Sequence, residues 1–536
     1  MKPALAALIA VLWLALLPLR PLFNPDEGRY AEIPREMLAG GDWVIPHLNG
    51  LTYIEKPPLQ YWATAAAFAV FGIGEFAARL YTALCALGTL AVVGFTARRL
   101  WGADAAWRAV AVLGSMLLFV VLGQLLTLDM GLTFYMTLAL AAFLLAQQFT
   151  VRWMLVAWAS TALGVLSKGL VAAAVPAAVL LLYSGLSRDF TPWRRLQAAV
   201  GLPVFLAIAV PWHWLAAVRL PQFLKFFFVH EHLDRYLTPS ADREEAWWFF
   251  GAVIALGCLP WTGSVLRVLA TGWRRSVPGG GLPQRGFHAR QFLWVWAVFV
   301  VVFFSLSDSK LIPYVLPALP ALALMVAASP AATLRRELWL AAAGTLLAGT
   351  ALAAAGVLGP RYLGATERDR VFALLAQPLL EIGVLLGLVG VWAWVRRDPD
   401  AIHSAMILGV GWCLAGLLVM RAAALVAPIY SGAGLARAAV PPPGAALYSV
   451  GTYDQTLPFY WRRTVTLAAY RGELDFGLRL DPARGIPTVA DFLDTWRRAP
   501  SAYAMMDLSL YKDLERQGVP MREIDHDLRH VLVARP

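Results

Sequence analysis

Apolar runs recur along most of the chain and are separated by short polar stretches. A helix needs roughly 20 apolar residues to cross about 30 Å of hydrocarbon, and in lipid it must satisfy its own backbone hydrogen bonds. By this criterion the pattern predicts a polytopic α-helical membrane protein with about 13 transmembrane helices. Their approximate cores are 3–20, 77–97, 108–126, 130–148, 151–166, 169–185, 198–218, 248–268, 291–307, 310–328, 337–358, 377–395 and 403–421.

The positions of the arginines predict the orientation of these helices. Cytoplasmic loops of membrane proteins are enriched in Lys and Arg. If the N terminus is cytoplasmic, the loops that carry Arg98 and Arg99, or Arg335 and Arg336, all lie on the cytoplasmic side. Segment 59–74 is also apolar, but counting it as a span would invert every later loop. We therefore expect it to lie along the membrane surface or re-enter it, as one of the juxtamembrane helices of an outer loop at 20–76.

An odd number of crossings places the C terminus on the outer side. Beyond the last apolar run, strand-like segments such as "AALYSVG" and "HVLVARP" alternate with helical patterns such as "VADFLDTWRRA" and "YKDLERQG". The sequence therefore predicts two parts, a transmembrane domain at 1–430 and a soluble periplasmic α/β domain at 431–536.

Composition supports the membrane assignment. Of the 536 residues 59% are hydrophobic and only 15% are charged, and the mean hydropathy is +0.62. The net charge of +11 mostly reflects the cytoplasmic arginines, so we do not expect nucleic-acid binding. All three cysteines lie in predicted spans, so we expect no disulfides.

The predicted topology gathers the unusual polar motifs on the outer face. A charge at the edge of a span costs free energy unless it faces a cavity, a partner or water. Contributions from separate segments to the same face therefore predict one polar cavity. The motifs are "NPDEGRY", "YIEKPP", "TLDM", "LSKGL", "HEHLDRY" and "SDSK".

Each of these motifs also has a simpler interpretation. Asp26, Glu27 and Arg29 could form a solvated start of a helix. Glu55 and Lys56 could form an ion pair before a proline turn. Asp129 is harder to explain in this way, because it lies between apolar stretches with no charged partner nearby in the sequence.

The "HEHLDRY" motif combines groups that suit two kinds of ligand. Imidazole and carboxylate groups suit a divalent metal ion, and Arg235 suits a phosphate. His230 and His232 do not share a face of a regular helix, so one histidine completed by a distant carboxylate such as Glu55 is the better metal hypothesis. An interfacial loop with solvated histidines remains the alternative.

No motif for binding a cytosolic nucleotide is present. A catalyst on the outer face would therefore need an activated substrate that is carried on a lipid. A transporter for a lipid-linked sugar would also need a polar cavity. The one-sided distribution of the polar motifs, without an internal repeat, argues against it.

The stretch "NPDEGRYAEIPREMLAGGDWVIPHLNGLTYIEKPPLQYW" resembles the N-terminal signature of the bacterial polyprenyl-phosphate-sugar glycosyltransferases, especially the lipid A aminoarabinose transferases. "TLDM", "LSKG", "HEHLDR" and "DSKLIPYVLP" extend the resemblance along the chain. It implies a GT-C fold in the bacterial inner membrane. It also implies transfer of 4-amino-4-deoxy-L-arabinose from undecaprenyl phosphate to lipid A phosphate in the periplasm. Related enzymes move other sugars or use other acceptors.

The resemblance also implies roles for individual residues. Asp26 matches the acidic residue of the reaction centre, Arg29 is its neighbour in the same loop, and Asp129 matches a further carboxylate of the cavity.

Further matched positions concern the donor phosphate and a metal ion. Lys56, Arg235 and Tyr314 match groups that hold the phosphate of the carrier lipid. Glu55 and His230 match positions associated with a divalent, zinc-like metal ion, and whether catalysis needs the ion is left open.

Overall fold

The computed structural model describes residues 2–228, 245–274, 287–364, 366–396 and 402–536. The described residues among the first 430 positions are mostly helical, with one small hairpin. In chain order the elements are α1 Lys2–Ala15, α2 Asp26–Gly40, β1 His47–Leu48, β2 Leu51–Thr52, α3 Leu59–Phe71, α4 Glu75–Trp101, α5 Ala103–Leu113, α6 Leu117–Leu122, α7 Leu128–Gln148, α8 Trp153–Lys168, α9 Val171–Ser187, α10 Thr191–Arg194, α11 Ala198–Arg219, α12 Phe249–Gly257, α13 Thr262–Thr271, α14 Ala289–Ser305, α15 Leu319–Ala327, α16 Ala331–Leu358, α17 Glu367–Ala373, α18 Ala376–Val395, α19 Ile402–Ala422, α20 Ala427–Tyr430 and α21 Ala433–Ala438.

Every predicted span contains helix, but three of them are interrupted. The span at 108–126 breaks between α5 and α6, and the span at 248–268 breaks between α12 and α13. The span at 310–328 begins as the 3₁₀ helix Ile312–Ala318 before α15. Glycine or proline lies at each interruption, and proline cannot donate a backbone hydrogen bond. These three spans are therefore helical but not single continuous helices.

Two of the interruptions lie against each other and are joined by one side-chain and one backbone hydrogen bond. Trp261 donates from Nε1 to Oγ of Ser115 at 2.8 Å. The backbone N–H of Leu117 donates to the carbonyl of Leu259 at 3.4 Å. Such pairing is what irregular backbone requires at membrane depth.

Among the described residues, six helices are long and apolar enough to cross a membrane by length and composition, and shorter apolar helices accompany them. The protein is a multi-pass membrane protein, and the number of about 13 crossings stays a prediction.

The outer loop at 20–76 contains α2, a hairpin and α3. Asn49 and Gly50 have φ of 56° and 73° and form the two-residue turn between β1 and β2, the turn that an Asn-Gly pair favours. α3 has 13 residues, so it is roughly 20 Å long and too short to cross the hydrocarbon. The expected helix is confirmed, while its position at the membrane surface stays a prediction.

The C-terminal part contains the expected mixture of strands and helices. The elements are β3 Ala446–Val450, α22 Thr456–Trp461, β4 Thr466–Ala468, α23 Asp475–Leu480, β5 Gly485–Ile486, α24 Val489–Arg498, β6 Ala502–Asp507, α25 Leu508–Arg516, β7 Arg522–His526 and β8 His530–Ala534. The strands form a six-stranded sheet with the order β5-β4-β3-β6-β8-β7. Strands β3 to β6 pair in parallel, and β8 joins antiparallel to β6 and β7.

One hydrophobic core joins this domain to the outer loop. Tyr53 and Phe68 of the loop are buried in the same cluster as Leu457 and Phe459 of the C-terminal part. The contact is closest at Gly28, where an ideal Cβ would lie 2.6 Å from the backbone of Gln455. Only glycine allows this approach without a shift of the backbone.

Candidate active site

Asp26 begins α2, where a carboxylate stabilises the positive end of the helix dipole. Its side chain is 46% exposed and accepts a hydrogen bond of 2.9 Å from Nη1 of Arg29. Arg29 is buried, and its Nη2 forms an ion pair with Glu473 of the C-terminal domain. Gln455 also donates to Glu473, at 2.5 Å. Asp26 therefore has an accessible carboxylate. Arg29 is fixed between the carboxylate of Asp26, three positions before it, and that of Glu473, which is far away in the sequence.

Glu27, the second carboxylate of the pair, has a different environment. It is 2% exposed and lies between Arg20 and Arg79, which are also buried. Arg79 donates to it from Nε at 2.8 Å and from Nη2 at 2.9 Å, and Arg20 donates from Nη2 at 2.8 Å. Although burial alone would raise the pKa of Glu27, the two arginine charges hold that pKa far below its usual value. The solvated interpretation of this loop is thus wrong for Glu27, which holds the loop on α4.

Glu55 and Lys56 follow the hairpin. Lys56 donates from Nζ to the backbone carbonyl of Glu55 at 3.1 Å. Glu55 faces a cavity of about 300 Å³ between the outer loop and the C-terminal domain, which Glu473 also lines. The other residues around this cavity are Phe226, Gly472, Asp475, Phe476 and Arg479. Three carboxylates, Glu55 from the outer loop and Glu473 and Asp475 from the C-terminal domain, therefore line one polar cavity, and Glu473 is paired with Arg29.

A second polar group lies where α7 begins and α8 ends. Lys168 forms an ion pair with Asp129, and its ammonium lies 4.9 Å from the centroid of the Tyr314 ring. A cation over an aromatic ring at this distance is attracted by the ring. Asp129 has no partner nearby in the sequence, but the fold supplies one 39 positions away. The structure thus brings together two predicted site residues, Asp129 and Tyr314.

The start of α7 is tied to the outer loop. The backbone N–H of Leu126 donates to Oε1 of Glu27 at 2.9 Å. The ionic cluster of Arg20, Glu27 and Arg79 therefore connects the segment that carries Asp26 to the segment that carries Asp129. A change at Glu27 would disturb both polar groups.

Two predicted site residues, Arg235 and His230, lie outside the described residues. Within the described ranges, no three His, Cys, Asp or Glu side chains are grouped so that they could hold a metal ion. The metal expected at Glu55 and His230 stays a prediction.

Two residues of these polar groups were not predicted as site residues from the sequence. Lys168 lies in "LSKGL", one of the motifs predicted on the outer face. Its position at the end of an apolar helix could have indicated a functional residue. Glu473 lies in an ordinary polar stretch of the C-terminal domain, so its contact with Arg29 had no local signal.

Comparisons with known proteins agree with this architecture. The family model described as "Aminoarabinose transferase C-terminal domain" matches residues 435–535. The model described as "Dolichyl-phosphate-mannose-protein mannosyltransferase" matches residues 3–227. The undecaprenyl phosphate-alpha-4-amino-4-deoxy-L-arabinose arabinosyl transferase of Aeromonas salmonicida (strain A449) is 31% identical over 436 residues, which are 78% of each chain. The chain belongs to the aminoarabinose transferase family. The corresponding transferase 1 of Sodalis glossinidius (strain morsitans) is 35% identical over 403 residues, 71% of this chain and 68% of the relative.

Solved structures extend this family match to almost the whole chain. The crystal structure of ArnT from Cupriavidus metallidurans bound to undecaprenyl phosphate has a TM-score of 0.89 and 33% identity, and the match covers 99% of this chain and 97% of that one. Its apo form gives the same values. As a member of the aminoarabinose transferase family, the protein has the GT-C fold and is a lipid-carrier-dependent glycosyltransferase, so the transporter alternative is set aside.

Proposed function

We propose that the protein transfers 4-amino-4-deoxy-L-arabinose from undecaprenyl phosphate to a phosphate of lipid A at the periplasmic face of the inner membrane. The names of its relatives, together with the near-complete structural match to ArnT bound to undecaprenyl phosphate, carry this proposal. The N terminus is cytoplasmic and the C-terminal domain periplasmic, in accord with the positive-inside rule.

In the proposed reaction, an oxygen of the acceptor phosphate attacks the anomeric carbon of the sugar. A carbon–oxygen bond to the sugar forms while the bond to the carrier phosphate breaks, and undecaprenyl phosphate leaves with the bonding electron pair. Lys56 and Arg235 stabilise the negative charge that grows on this leaving group. No nucleophile from the protein is needed.

Asp26 need not act as a strong base in this reaction. A phosphate acceptor is largely ionised near neutral pH, so it has no proton to lose before attack. The accessible carboxylate of Asp26 instead orients the acceptor or the ammonium group of the sugar. Arg29, held by Asp26 and Glu473, keeps this carboxylate in place.

Asp129 and Tyr314 act with Lys168 as a second polar group of the proposed site. The ion pair with Lys168 offsets the negative charge of Asp129, which favours a positioning role. Tyr314 provides both a ring face for the ammonium of Lys168 and a hydroxyl for the donor phosphate.

The proposal includes a divalent metal ion at Glu55 and His230. The carboxylate of Glu55 faces the cavity beside a second carboxylate, Glu473, which is a donor type that zinc accepts. Glu55 and His230 would hold the ion, and the ion would supply a positive charge for phosphate oxygens.

Mass spectrometry of lipid A tests the proposed function directly. A bacterium that makes the donor but lacks its own aminoarabinose transferase is complemented with wild type, Asp26→Asn or Lys56→Ala. We expect wild type to add the mass of aminoarabinose and the two variants, at equal abundance, to add none. Asp481→Asn is the matched control, because its ion pair with Arg484 is exposed and outside the cavity.

The outcomes separate the alternatives. If abundant wild type leaves lipid A unchanged, the assigned sugar or acceptor is wrong, and a different added mass would identify another substrate. If Lys56→Ala retains full transfer, the proposed role of this lysine at the leaving group is wrong.

A further inference from the structure

A second large cavity lies away from the candidate active site. It forms a groove of about 690 Å³ between α13, α16 and Trp412 of α19. One wall runs from Leu259 to Arg267, and the other runs from Ala332 to Thr345. Neither wall contributes a residue to the cluster around Asp26 or to the cluster around Asp129.

The two ends of the groove differ in chemistry. At the first end, Arg267 forms an ion pair with Glu337 and donates from Nη2 to Oγ of Ser329 at 2.7 Å. Arg336 lies beside this pair, is exposed, and makes no ion pair with any residue in the described ranges. As far as the described residues show, this end is therefore a polar rim at which Arg336 is available to an anion.

The second end of the groove is apolar and closed. Trp412 donates from Nε1 to Oγ1 of Thr345 at 2.9 Å, so both polar atoms are satisfied within the protein. Leu340 and Ala341 lie between this end and the rim. Glu337 and Thr345 are eight positions apart on α16, which corresponds to roughly 12 Å along the helix.

The groove has unfilled space on both walls. An ideal Cβ at Gly263 on α13, or at Gly344 on α16, meets no heavy atom within 4 Å. Both glycines line the cavity. The space between the helices can therefore hold a ligand without moving their backbones.

We infer that this groove binds one anionic phospholipid. Its phosphate lies at Arg336, and an acyl chain lies along Leu340 and Gly344 toward Trp412. Phosphate oxygens form charge-assisted hydrogen bonds with arginine, and basic residues at the membrane surface attract anionic lipids. Arg335 is also exposed at this end and adds to the positive charge. In the proposed orientation the rim faces the cytoplasmic leaflet, opposite the transferase site.

Native mass spectrometry of the purified full-length protein tests this inference. Phosphatidylglycerol is added to the detergent-solubilised protein, and the first bound lipid is measured for wild type, Arg336→Gln and Gly344→Leu. We expect Arg336→Gln to weaken the first binding event by about fivefold. We expect Gly344→Leu to abolish this event by filling the groove. Gly263→Leu fills the groove from the other wall and replaces Gly344→Leu if that variant does not purify.

The controls test charge and position separately. Gly387→Leu is the matched variant, because an ideal Cβ there also meets nothing within 4 Å but the residue does not line the groove. Equal binding of phosphatidylcholine and phosphatidylglycerol by wild type would overturn the inference. So would unchanged phosphatidylglycerol binding by Gly344→Leu and Gly263→Leu. The assay does not depend on transferase activity, so its failure leaves the proposed function untouched.

Discussion

Replacing Glu27 by glutamine should unfold or destabilise the protein, whereas replacing its neighbour Asp26 should not. Glu27 accepts six hydrogen bonds: two from Arg20, two from Arg79, and one each from the backbone N–H groups of Phe23 and Leu126. The neutral amide of glutamine keeps the shape of the carboxylate but removes its charge. Two buried arginines would then lie side by side without a counter-charge.

The magnitude follows from this burial. Arg20, Glu27 and Arg79 are 4%, 2% and 1% exposed, so solvent screens their charges little. Removing one partner of a buried ion pair costs about 3–5 kcal/mol. An unfolding entropy of about 2.1 cal/mol/K per residue converts this cost into a fall of roughly 3–4 °C in Tm for a chain of this length.

Thermal unfolding of the detergent-solubilised protein measures the effect. The stability that Glu27 contributes is present above its unfolded pKa of about 4.3 and is lost only as pH falls through its lowered folded pKa. The difference in Tm between wild type and Glu27→Gln should therefore stay constant between pH 6 and 8. Asp26→Asn is the control and should melt with wild type. Equal melting of Glu27→Gln and wild type would refute the structural role of this cluster.

Three further predictions concern the site and the contact between the domains. Lys168→Met should lower lipid A modification by about tenfold or more at equal protein abundance, because it removes a charged partner of Asp129; full modification, measured by mass spectrometry, would contradict this. Glu473→Gln should weaken the ion pair with Arg29 and lower lipid A modification by about tenfold, without lowering Tm by more than about 1 °C. Normal transfer by this variant would show that the ion pair is dispensable. Burial, together with the neighbouring carboxylate of Glu32, raises the pKa of Glu36 to about 8. Its folded pKa exceeds the unfolded value of about 4.3, so stability should fall as pH rises from about 5 to 8, and Glu36→Gln should flatten this fall in Tm; an unchanged slope would contradict the shift.

The hydrophobic pattern predicted the helical spans and the mixed C-terminal domain because both depend on local periodicity. It did not predict the three interruptions, because a single proline such as Pro260 lowers the mean hydropathy of a whole apolar span only slightly. Whether such a residue bends or breaks a helix depends on the partners that the neighbouring helices offer. Here Ser115 and Leu117 are partners of the segment around Trp261, and these contacts span more than a hundred positions.

The candidate site was predictable in part for a similar reason. Charges at the edges of apolar helices placed Asp26, Lys56 and Asp129 on one face without any knowledge of the fold. The sequence could not show that Asp26 is accessible and Glu27 buried. The burial of Glu27 depends on its ion pair with Arg79 from the next long helix. Adjacent residues on a helix point in different directions, so Asp26 is accessible while Glu27 is buried.

The C-terminal domain is part of the site rather than a separate attachment. Glu473 holds Arg29, and the backbone of Gln455 lies so close to Gly28 that no side chain fits between them. Reciprocal hydrogen bonds of 2.8 Å between Asn49 and the backbone of Val465 fix the hairpin of the outer loop to the same domain. The loop therefore takes its shape from a domain that begins about 400 positions later in the chain. We therefore expect the C-terminal domain to influence the candidate site, although the recognisable motifs of that site all lie outside the domain.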